Sequence, residues 1–83
     1  MIIDENISED EFNEQVLLLG IYKRKENESI KDALINVVDT GSFTLKQAKK
    51  YLKELKAKKL VQDNSLTFLG IEKAKQVEMM FRL

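Results

Sequence analysis

Residues 52–70, LKELKAKKLVQDNSLTFLG, change pattern twice within a short distance. Leu52 and Leu55 carry helical spacing with lysines between them, and LVQDNSLTF then reads as strand and turn. Asp63-Asn64 suits a two-residue turn, a connection that would set Val61 opposite Leu66 on one face. Such a hairpin, with strands of about three or four residues, is marginal alone and must lean on helices. From Gly70 the helical pattern returns through Ile71, Ala74, Val77, Met80 and Phe81. The stretch therefore predicts a helix, a hairpin and a closing helix over about residues 69–82.

Upstream, Thr44-x-x-Gln47 has the form of a capping box, in which side chains satisfy the free amides of a helix start. It opens a third helix over 44–58, with Leu45, Ala48, Leu52 and Leu55 as its expected buried stripe. Before it, Ile30, Ala33, Leu34, Val37 and Val38 predict a second helix over 29–39, which Asp39-Thr40-Gly41 breaks. Ser8-Glu9-Asp10-Glu11 predicts the start of a first helix over 9–25, striped by Phe12, Val16, Leu19 and then Tyr22 or Lys23, with Leu17, Leu18 and Ile21 widening the stripe. Gly20 marks either close packing or an early end. The expected fold is mainly α with a small β-hairpin, in the order helix-helix-helix-hairpin-helix.

Eighty-three residues make a single domain, 1–83, with residues 1–8 as an acidic and mobile N-terminal segment. There is no Cys and no His, which excludes disulfides and the usual zinc sites. The acidic start MIIDENISEDEF lacks the basic flank of a signal peptide, and VLLLGIY is far shorter than the ~20 residues of a membrane span. A soluble cytoplasmic protein with no membrane partner is expected.

The net charge is zero, but it is unevenly spread. Residues 1–14 hold Asp4, Glu5, Glu9, Asp10, Glu11 and Glu14 without a base, whereas 44–60 hold seven lysines against Glu54 alone. A neutral total can thus hide a dipolar surface, and a polyanion responds to the nearer field.

The element order and two motifs resemble the winged helix-turn-helix superfamily over residues 10–82. YLKELKAKKLV is similar to the family's leucine-spaced recognition helix running into the first wing strand. LTFLGIEKA, with Leu66-Thr67-x-x-Gly70-x-x-x-Ala74, is similar to a pattern that follows the wing in small bacterial regulators. The resemblance implies that the third helix enters the DNA major groove while the second crosses near the backbone. Two features depart from the family pattern: a very short wing tipped by Asp63 without Lys or Arg, and the neutral total.

With Leu45 at zero on a helical wheel, the expected buried sector of the third helix centres near about 310°. Lys46, Gln47, Lys50, Lys53, Glu54 and Ala57 then face outward, with Lys49 at the border. Gln47 can pair with adenine in bidentate fashion, Lys46 and Lys50 can approach guanine or phosphate, and Lys49 and Lys53 suit phosphates. Ser42 and Thr44 stand where they could donate to a phosphate at the helix entrance. Solvation of the lysines and simple capping by Thr44 and Gln47 are the alternative readings. Lys56 and Lys59 fall near the buried sector, where they would snorkel or lie beyond the helix end.

Double-stranded DNA is the expected partner, and the function expected is that of a small transcriptional regulator. The alternative is a non-catalytic winged-helix interaction module without DNA contact. At the C-terminus, Met79, Met80 and Leu83 leave apolar surface for a homodimer or protein partner. Catalysis is not expected, because no His or Cys pair exists and three scattered glycines make no phosphate loop. No small-molecule substrate, cofactor or metal is evident.

Overall fold

Three hydroxyl side chains open the first three helices. Ser8 accepts from the Glu11 amide at α1 (Glu9–Tyr22), 3.1 Å away. Ser29 with Asp32 forms a complete capping box at α2 (Ile30–Asp39), and Thr44 with Gln47 forms another at α3 (Leu45–Ala57). Each such cap contributes about 1 kcal/mol by satisfying amides that the helix cannot pair internally. The computed structural model describes residues 8–81; of the acidic 1–8 segment only Ser8 is included, and Leu83 also lies outside the described residues.

α1 ends earlier than the expected residue 25. The Lys23 and Arg24 amides turn back onto the Leu19 and Ile21 carbonyls. The Arg24 guanidinium also donates to the carbonyls of Ile21 and Glu28, closing the connection to α2. α1 packs against α2, α3 and α4, with Leu17, Leu18 and Ile21 at the centre of the core. The expected stripe is buried along its widening residues Leu17, Leu18 and Ile21, while Phe12, Val16, Leu19 and Tyr22 are half-buried flanks and Lys23 is exposed. A helix covered from several sides has no single apolar face to read. Gly20 marks close packing: a Cβ there would meet Val37 Cγ2 at 2.5 Å.

α3 is rotated from its expected setting. Ala48, Tyr51 and Leu55 are buried, Leu52 is partly so, and Leu45 is 43% exposed. The buried sector thus centres near about 270–280° on the same wheel, some 40° away from the expectation. The helix closes in a Schellman motif: the Leu60 amide donates to Leu55 and the Lys59 amide to Lys56. Lys59, at φ 63°, occupies the left-handed position that usually falls to Gly.

β1 (Val61–Gln62) and β2 (Ser65–Leu66) pair antiparallel, with Val61 opposite Leu66 as the sequence pattern predicts. Each strand is only two residues long. Asp63 and Asn64 both have positive φ, 51° and 64°, which gives the turn the twist that a two-residue hairpin requires.

α4 (Phe68–Phe81) follows β2 after Thr67 alone and starts one residue before the expected 69. Thr67 fixes that start: its hydroxyl donates to the Lys59 carbonyl at 2.7 Å and accepts from the Gly70 amide at 3.0 Å. Its own amide donates to the Leu60 carbonyl. Gly70 then lies so close to Leu60 that any Cβ would overlap the Leu60 carbonyl oxygen. The spacing Thr67-x-x-Gly70 is therefore a physical device that ties α4 to the exit of α3. At the other end of α4, Phe81 stacks on Phe12 with ring centroids 5.5 Å apart.

The protein is mainly helical with one small hairpin, in the order helix-helix-helix-hairpin-helix. Among the described residues, no helix is long and apolar enough to cross a membrane.

Candidate nucleic-acid interface

The rotation of α3 decides which lysines stand together. Phe43 packs edge-on against Tyr51, with centroids 5.2 Å apart, and fixes the turn before the helix. Tyr51 in turn bonds to Asp10 and Asn13 of α1. With Tyr51 inward, Lys46, Lys49, Lys53 and Lys56 line one exposed face at spacings of three, four and three residues. They cover about 80° of arc and about 15 Å of helix length. That is comparable to the ~12 Å width of a DNA major groove.

These four side chains differ from their neighbours in their partners. Among the described residues, none of the four has a carboxylate within ion-pair distance. Lys50 instead sits 3.7 Å from Asp10 and above the Tyr51 ring. Lys58 donates to Glu14 at 2.9 Å. The acids of α1 are thus applied to one side of α3, and among the described residues no acid pairs with the four lysines on its other side. In water a surface charge is felt over roughly a Debye length, about 8–10 Å, so these four lysines act on a ligand together.

Glu14 is buried, and that burial holds its carboxyl above the usual carboxylate range. The Lys58 ammonium draws it back down, and Glu54 nearby pushes it up further.

The residues at the entrance of α3 are engaged in local structure. Gln47 Oε1 accepts from the Thr44 amide at 3.0 Å, and the Thr44 hydroxyl accepts from the Gln47 amide at 3.2 Å. The Gln47 NH2 group remains available, but bidentate pairing with adenine would first have to release the cap. The Thr40 hydroxyl donates to the Val37 carbonyl, so Ser42 is the donor in the 3.0 Å bond between Ser42 and Thr40. Ser42, Thr44 and Gln47 are therefore exposed around one turn, each with part of its bonding capacity committed.

The sequence pattern passed over two participants. Leu45, assigned to the core, projects beside Lys46 and Lys49, where an apolar side chain can meet a thymine methyl. Lys56, assigned near the buried sector, is exposed and extends the lysine stripe, and Lys59 is exposed as well. Both lysines line an open groove of about 600 Å3 between the end of α3 and the hairpin, with Val61, Gln62, Asp63 and Asn64 on the far wall. Tyr51, which the expected stripe left out, is the residue whose place on the inner face sets this phase.

Met79 and Met80 are exposed on α4. Comparison with protein-family models, with characterised proteins and with solved structures found no match to this chain.

Proposed function

We propose that this protein binds double-stranded DNA as a small winged helix-turn-helix transcriptional regulator of the cytoplasm, with α3 lying in the major groove. The observation that carries the proposal is the sorting of lysines on α3. Lys46, Lys49, Lys53 and Lys56 share an exposed face without acidic partners among the described residues, while Lys50 and Lys58 are tied to α1. The helix order and the hairpin beside the end of α3 support the wing assignment.

In this reading the lysines bind phosphates and set affinity, Leu45 on the lysine side of α3 meets a base edge, Gln47 keeps to its capping box, and the Asp63 tip keeps the hairpin off the backbone. The function is non-catalytic and uses no cofactor. Replacing the four lysines by Ala should abolish duplex binding in fluorescence anisotropy at low salt while the helical spectrum is retained. For the parent, the logarithm of affinity should fall by about 0.9 per neutralised phosphate for each log unit of salt. Unchanged binding by a folded quadruple variant would defeat the proposal.

The second reading, an interaction module without DNA contact, draws on the exposed Phe68, Leu69, Met79 and Met80 of α4. It predicts that duplex DNA leaves the protein's anisotropy and spectrum unchanged at any salt.

A further inference from the structure

The largest exposed apolar side chains among the described residues gather on α4. Phe68 is 80% exposed, Met79 73% and Leu69 56%, and Met80 is exposed beside them. The inner side of this helix, Gly70, Ala74 and Val77, is already buried against the rest of the chain. At 100° per residue, Phe68, Glu72, Lys75 and Met79 fall on one outward stripe about 60° wide and about 16 Å long. Along it the order is apolar, acidic, basic, apolar. Within the helix Glu72 and Lys75 make only a loose pair, 3.9 Å apart and half-exposed.

This order is complementary to itself. A two-fold axis crossing the helix between residues 73 and 74 exchanges Phe68 with Met79 and Glu72 with Lys75. In an antiparallel pair of α4 helices, each aromatic ring would rest on a methionine thioether, a favourable contact for both. Each carboxylate would meet the ammonium of the opposite helix. An isologous interface requires such reciprocity, because residue i meets j and j meets i. A partner of another kind would need the apolar side chains but not the palindromic charge order.

We propose that a second copy of this chain occupies this face, α4 against α4, antiparallel about that axis. Leu69 and Met80 border the seam on one side. The proposal uses no residue of the α3 face and stands apart from the nucleic-acid reading. A single helix-on-helix contact falls short of the ~1,200 Å2 of a standard stable interface, so the association is weak and concentration-dependent.

Sedimentation equilibrium of the full chain from low micromolar to near-millimolar concentration tests it. The mean mass should rise from 9.6 kDa toward twice that value. Glu72→Lys and Lys75→Glu, made singly, each set like charges face to face and should weaken association by about tenfold or more. Combining them restores opposite charges at both crossings and should restore dimerisation. Phe68→Ser should remove it, and because Phe68 is exposed the variant should keep its helical spectrum. A mass of 9.6 kDa throughout would overturn the proposal. So would association that is indifferent to both single charge reversals, even if Phe68→Ser reduced it, since the two-fold register would then be wrong.

Discussion

The Tyr51 hydroxyl donates to Asp10 Oδ1 at 3.0 Å and accepts from Asn13 Nδ2 at 3.1 Å, across the contact between α3 and α1. Tyr51 is 1% exposed, so this oxygen has little access to water and relies on those two partners. The pair of bonds fixes the rotation of α3, and with it the direction in which the lysine stripe points.

Tyr51→Phe should therefore destabilise the protein by about 1–2 kcal/mol, because the buried Asn13 amide loses its acceptor. Urea denaturation followed by circular dichroism measures this. The ring still fills its site, so the slope of the transition should be unchanged while the midpoint falls.

Gly70→Ala should cost about 1–3 kcal/mol, since the new methyl would overlap the Leu60 carbonyl and push α4 off the exit of α3. A gain in stability, the sign expected of Gly→Ala at an open helix site, would show that the approach of α4 to Leu60 is not tight. Thermal unfolding of the variant beside the parent decides it.

Lys59→Gly should stabilise the protein by up to about 1 kcal/mol, because φ 63° suits glycine at the left-handed cap. Lys59 makes no ion pair among the described residues that would offset the gain. A rise in the urea midpoint is the expected readout.

Glu14 gives the stability a pH dependence of known sign. Burial raises its folded pKa above the unfolded value, so the folded state holds the proton more tightly. The resulting penalty is absent below the unfolded value, grows as pH rises through the folded pKa and is complete above it. Glu14→Gln removes that titration. Relative to the parent, the variant should gain stability between about pH 4 and about pH 7, read as the difference in urea midpoints at the two values.

Local chemistry made much of this fold legible in the sequence. Ser29 with Asp32, and Thr44 with Gln47, announce helix starts because each pair satisfies its own amides without help from the rest of the chain. Asp63-Asn64 and the facing Val61 and Leu66 likewise fix the hairpin register. What escaped was set by tertiary contacts. Leu45 and Tyr51 both fit the apolar stripe of α3, and bonds to Asp10 and Asn13, far away in sequence, select Tyr51. Lys59 took a glycine's position, so no glycine signalled the end of the helix. For the candidate site, the lysines were legible as a cluster. Their division into free and tied groups depended on where the acids of α1 would stand.

The most direct measurement is an amide NMR titration of the full chain with duplex DNA at low salt, repeated at high salt. Shifts should concentrate on the amides of α3 from Leu45 to Lys56 and vanish as salt is raised. An α3 that stays silent at low salt, or shifts confined to α4, would contradict DNA binding through the lysine face.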